Sequence, residues 1–118
     1  MTAGHAELEA LLGQRRAEAE RQLASLADAM GGIRHSRVDS PADDEHDPEG
    51  PTMSAEWSRI SGLQREARDE VAAVDRALER MRDGTYGTCS RCGRPIAPAR
   101  LEARPEAELC IDCARLVG

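Results

Sequence analysis

Early in the chain, apolar residues recur at Leu8, Leu11, Leu12, Ala19, Leu23, Leu26 and Met30, with spacings of three, four and seven. A helix repeats every 3.6 residues, so these positions share one stripe. The pattern predicts a helix over about residues 2–30, stopped by the doublet Gly31-Gly32. A second stripe runs through Trp57, Ile60, Gln64, Ala67, Val71, Val74, Leu78 and Met81, alternating three and four apart, with Gln64 its one polar member. This is a heptad seam of about four repeats. Ser54 reads as its N-cap and Gly84 follows its last residue, Asp83, giving a helix over about 54–83. Between the helices, residues 31–53 hold Gly31, Gly32, Pro41, Pro48, Gly50 and Pro51 around an acidic run of Asp43, Asp44, Glu45, Asp47 and Glu49. That composition fits either a solvated linker or a functional tip.

Two helices with one stripe each can cover one another as an antiparallel coiled coil, with the acidic segment at the far end. Alternatively, each can pack on a partner. An isolated two-helix hairpin is marginal, so a stabiliser is expected at its base. The predicted fold class is all-α dominated: a helical hairpin over residues 1–83 and a small cysteine-bearing module over 84–118.

Composition narrows the choice. The 118 residues suit one domain, and the only aromatics are Trp57 and Tyr86. So few large rings do not fill a thick globular core, and β-sandwich or Rossmann architectures are disfavoured. No apolar run approaches the ~18 residues of a membrane helix. The polar start lacks the pattern of a secretory signal, so a reducing bacterial cytoplasm is the expected compartment. All 16 basic residues are arginine and 22 are acidic, for a net charge of −6. Binding to a nucleic-acid backbone as the main activity is disfavoured, because it needs a basic surface.

The four cysteines form Cys89-Ser-Arg-Cys92 and, after 17 residues, Cys110-Ile-Asp-Cys113. This spacing suits a structural zinc site: each pair presents two sulfurs from one tight turn, and two turns complete a tetrahedron. One Zn²⁺ per chain is expected on Cys89, Cys92, Cys110 and Cys113. Gly93 can take the positive φ that such a turn demands. Two disulfides or a thioredoxin-like redox pair are the weaker alternatives, for want of export signals or a βαβ pattern. Four thiolates close the metal shell, so a catalytic zinc is disfavoured. The module carries five arginines (91, 94, 100, 104 and 115) against four acids, or +1, while the rest of the chain sums to −7.

The run Asp83-Gly-Thr-Tyr-Gly-Thr-Cys89, then Arg91-Cys92-Gly, Pro95-Ile96, Arg100-Leu-Glu-Ala-Arg-Pro105 and Leu109-Cys-Ile-Asp-Cys113 closely resembles the zinc-finger signature of the DksA/TraR proteins. The helical hairpin with an acidic apex resembles that family in pattern. The resemblance implies a transcription regulator that binds core RNA polymerase directly. Its coiled coil would enter the secondary channel, the tip would approach the active site, and the finger would hold the hairpin base. Tip residues would be Asp44, Asp47 and Glu49, the last standing where the best-known members have alanine; counting back from the finger instead places His46 and Glu49 there. Arg100 and Arg104 would give the finger a basic surface. The chain ends five residues after Cys113, so the C-terminal helix of longer members is expected to be missing or vestigial.

In those longer members, the hairpin and finger form, with polymerase, a site for the alarmone ppGpp. At the matching register this chain offers Glu66, Glu70 and Ala73, with Arg104 the one basic candidate. Two carboxylates oppose a polyphosphate, so a weak or absent response is expected. The remaining function classes are a zinc-stapled coiled-coil interaction module with another partner and a DNA binder acting through the finger. No direct sequence-specific DNA contact is expected. An enzyme is disfavoured: the sequence offers no nucleophile–base pair, phosphate-binding glycine loop or open metal site.

Overall fold

A computed structural model describes the backbone of residues 4–39 and 49–118, and the side chains of 4–33 and 53–118. Among the described residues four helices follow in order: α1 (His5–Asp39), α2 (Glu49–Asp83), α3 (Pro98–Ala103) and α4 (Ile111–Val117). The only β-pairing among the described residues is an isolated antiparallel bridge between Thr88 and Pro95. None of the described helices is long and apolar enough to cross a membrane.

Both long helices extend further into the central segment than the sequence predicts. α1 does not stop at Gly31-Gly32 but continues to Asp39. Glycine in a helix interior costs about 1 kcal/mol relative to alanine, too little to end a helix by itself. Neither residue takes the positive φ of a C-terminal cap. Nor is Ser54 the start of the second helix, which opens at Glu49. Pro51 falls in its first turn, where a missing N–H removes no helical bond. The predicted tip of 31–53 therefore shrinks from both sides, and residues 40–48, with Asp44 and Asp47, lie outside the described ones. Glu49 is the first residue of α2, and its side chain also lies outside them. Gly84 ends α2 as expected, with a φ of +82°. The Thr85 N–H reaches back to the Arg80 carbonyl at 3.0 Å, closing the last turn.

The chain forms two compact units, and their boundary does not fall at residue 84. One unit joins Met1–Glu18 with Glu70–Gly118, and the other is Ala19–Asp69. The reason lies in the first unit's core. Leu8 of α1 is buried with Cys89, Ile96, Leu101 and Cys113 of the cysteine module, so helix and module share one interior. Leu12 is fully enclosed with Val74 and Ala77 of α2. Met81 and Tyr86 pack against both clusters. Within this unit, Leu12 sits against Val74 and Ala77, and Arg15 lies 3.9 Å from Glu70. Rising numbers on α1 thus meet falling numbers on α2, and the pairing is antiparallel.

In the second unit, Ala19, Ile60 and Ala67 are buried. Every described residue of both predicted stripes is buried or half-buried, including Gln64. Small Ala19 and Ala67 at buried positions allow close helix approach and leave little volume to fill.

Candidate metal centre

The sulfur atoms of Cys89, Cys92, Cys110 and Cys113 all lie within 4.8 Å of one another. Two different local structures bring them there. Cys89 and Cys92 sit on the turn enclosed by the Thr88–Pro95 bridge, where the Cys89 N–H donates to the Arg94 carbonyl at 2.8 Å. The Gly93 N–H returns to the Cys89 carbonyl at 2.9 Å, and Gly93 has a φ of +77°. A side chain there would strain the backbone, which is why glycine follows Cys92. Cys110 and Cys113 open α4: Cys110 is its N-cap, and Cys113 lies one turn on. The Ser90 N–H bonds the Glu108 carbonyl at 2.9 Å, holding one pair against the approach to the other.

The cluster fits zinc. Sulfurs at the corners of a tetrahedron with Zn–S near 2.3 Å stand about 3.8 Å apart. The Cys92 and Cys110 sulfurs are 3.8 Å apart. The electrostatics agree. The backbone N–H of Cys110, aided by those of Cys92 and Arg91, lowers Cys89 to about 6. The Arg94 N–H lowers Cys92. Burial pushes Cys113 the other way, to about 12. A buried sulfur that resists ionisation, beside two that favour it, needs a divalent cation to become a thiolate. Four thiolates then fill the shell, and the role is structural.

The finger is tied to the long helices by hydrogen bonds that sequence reasoning missed. Arg15 of α1 donates to the Ala103 carbonyl at 2.7 Å and lies 3.4 Å from Glu106. From α2, Arg76 and Arg80 both reach the same Glu108 oxygen, at 2.7 and 3.0 Å. Arg80 also donates to the Ala107 carbonyl at 3.2 Å, while its Nε is buried with no hydrogen-bond partner. The Tyr86 hydroxyl donates to the Pro105 carbonyl at 2.8 Å, and its ring lies 5.4 Å from that of His5. These contacts converge on residues 103–108. Each is non-local, and no periodicity announces it.

Of the residues expected to form a basic surface, Arg100 turns partly inward: it is half-buried, and its Nε donates to the Leu109 carbonyl at 2.8 Å. Arg104 is exposed. α4 runs from Ile111 to Val117, about two turns. Its exposed apolar residues are Ile111, Leu116 and Val117.

The geometry defines a class: a four-cysteine structural zinc finger fused to the paired ends of two long helices. Comparison with known proteins places that finger. Residues 84–117 match the prokaryotic DksA/TraR C4-type zinc finger. The chain is 41% identical over 61 residues to the RNA polymerase-binding transcription factor DksA of Caulobacter vibrioides, covering 50% of this chain and 43% of that protein. It is 43% identical over 49 residues to the DksA of Escherichia coli K12, covering 42% of this chain and 32% of the relative. The chain thus spans less than half the length of these relatives. Among solved structures, the transcription factor DksA2 from Pseudomonas aeruginosa superposes with a TM-score of 0.75 at 25% identity, over 92% of this chain and 78% of that one. A DnaK suppressor protein from Agrobacterium tumefaciens superposes with a TM-score of 0.60 at 25% identity, over 98% and 96%. The similarity to DksA thus reaches beyond the finger in fold.

Proposed function

We propose that this chain is a transcription regulator that binds RNA polymerase core directly. The observation that carries the reading is the finger of residues 84–117 held in one compact unit with the ends of two long helices, in a fold similar to DksA2 over 92% of the chain. In this reading, the paired helices enter the secondary channel and the acidic segment between them approaches the active site. Asp44, Asp47 and Glu49 then act there through their carboxylates, on the catalytic metal or on basic polymerase loops. The finger, held by Cys89, Cys92, Cys110 and Cys113 around one Zn²⁺, fixes the helix ends so that the pair enters as a stiff unit.

The protein acts as a ligand of polymerase rather than as an enzyme, works in the bacterial cytoplasm, and makes no sequence-specific DNA contact. The net charge of −6 supports the last point. A pull-down with core RNA polymerase, with and without a competitor filling the secondary channel, tests the reading. Binding that the competitor abolishes supports it; binding that persists points to another docking surface. Replacing Asp44, Asp47 and Glu49 by Asn or Gln separates docking from action: affinity stays within a few-fold while the transcriptional effect disappears. A joint fall of affinity and effect would instead make the segment a docking site.

A further inference from the structure

Two depressions share a border on the finger, and the smaller one reaches the metal cluster at Cys110. The larger, about 360 Å³, is lined by Ala97, Ala99, Ala103 and Ile111, with Arg100 and Arg104 completing it. The smaller, about 170 Å³, shares Ala97 and Ile111 with it and brings in Arg94 and Asp112. Ile111 stands where they join and is 45% exposed. Its neighbour Cys110 and the nearby Cys113 belong to the metal cluster, while Ile111 is left at the surface. The alanines contribute only methyl groups, so the floor is concave and apolar.

The edges are charged. Arg94 stands on one side, with its guanidinium beside the Cys92 sulfur. Arg100 and Arg104 stand on the other. Asp112 is the one acid among the lining residues, so the rim is net positive on a chain of net charge −6. Part of the rim is held in place. The Arg100 Nε is fixed on the Leu109 carbonyl at 2.8 Å, and the Arg104 N–H on the Arg100 carbonyl at 2.6 Å. Among the described residues, Arg104 enters no ion pair.

An apolar centre with a cationic rim is the arrangement of a protein-docking site. A free polyphosphate would use the arginines and gain nothing from the methyl floor. We propose that this groove docks an apolar side chain flanked by carboxylates on a protein partner. The inference does not depend on how the long helices engage polymerase.

The test uses the zinc-loaded full chain and a short synthetic peptide with one leucine between glutamates, followed by amide NMR shifts. Saturable shifts at Ala97, Ala103 and Ile111 are expected. The same peptide with glycine for leucine should bind at least about tenfold more weakly, as should the Ile111→Asp and Arg104→Glu variants toward the original peptide. Ala99→Leu fills the groove without altering charge and should weaken binding equally, which keeps the test open if Ile111→Asp disturbs folding. Zinc content checks each variant. Equal binding of both peptides would reduce the site to nonspecific charge and overturn the proposal. So would tripolyphosphate shifting these amides when the leucine peptide does not, or a complete lack of shifts. Self-association that Ile111→Asp abolishes, without peptide binding, would assign the groove to a second copy and also overturn it.

Discussion

The two compact units are held together in different ways. The unit of Ala19–Asp69 relies on a narrow seam, in which Ile60 is the one large residue among the buried Ala19 and Ala67. The unit of Met1–Glu18 and Glu70–Gly118 has two contiguous clusters, a metal centre and arginine contacts that cross from both long helices to the finger. Beside those three buried residues, the seam positions Leu23, Leu26, Met30, Trp57 and Gln64 of this unit stay half-buried, as expected where only one helix covers another. Where a third element packs across the helix ends, Leu12 and Val74 reach zero exposure. Tyr86 of the finger packs against this cluster, and Leu8 shares a second cluster with the finger's own core, so the helix ends and the metal-dependent finger support one another.

The largest effect that can break this contrast is metal loss. Cys113→Ser removes a buried ligand and leaves a hydroxyl among Leu8, Ile96 and Leu101. Because zinc-binding energy is largely the folding energy of such a finger, residues 84–118 should unfold. Helix ends 5–18 and 70–83 should then lose amide-exchange protection, while 19–33 and 53–69 keep part of theirs. Segment-resolved hydrogen exchange, with zinc quantified in parallel, measures this. A metal-free chain with full protection throughout would show that the finger does not depend on zinc.

A smaller effect sharpens the same contrast within one helix. Leu12 is fully buried and Leu26 half-exposed. Leu12→Ala opens a cavity against Val74 and Ala77 and should cost about 3 kcal/mol. Leu26→Ala should cost about 1 kcal/mol, since its site already reaches solvent. Denaturant unfolding of the two variants compares them. Equal losses would mean that enclosure by the finger adds nothing to the seam.

What the sequence revealed follows the same division. The stripes and cysteine pairs are local or periodic signals, and each named residue occupies the predicted environment. The helix limits were less legible, because Gly31-Gly32 and Ser54 carry small preferences that a continuing helix overrides. Ala77 escaped the seam reading although it is fully buried, since alanine is a weak hydrophobic marker. Arg15, Arg76, Arg80 and Tyr86 could not be found at all: on a helix or in a turn they look like solvent-facing residues. Their partners at 103–108 become neighbours only after the finger folds.

The finest test concerns Tyr86, which packs against both clusters of the finger unit. Its hydroxyl is bonded to the Pro105 carbonyl at 2.8 Å, and the ring is half-buried. Tyr86→Phe keeps the ring and removes the donor, so the loss should be about 1 kcal/mol. Acidity supplies a second reading of the same group. Burial, the largest influence, raises the Tyr86 phenol above its ordinary value of 10.0; nearby Arg80 opposes this and Glu106 reinforces it. A group whose pKa is higher in the folded chain ionises first in the unfolded one. Its stabilising contribution is therefore complete below pH 10.0 and is lost as pH rises through the folded value. Unfolding of the zinc-loaded protein between neutral pH and pH about 11 should show this alkaline loss, and Tyr86→Phe should reduce it. A variant with the same alkaline slope as the parent would place the phenol in solvent and remove Tyr86 from the contacts that join the finger to the helix ends.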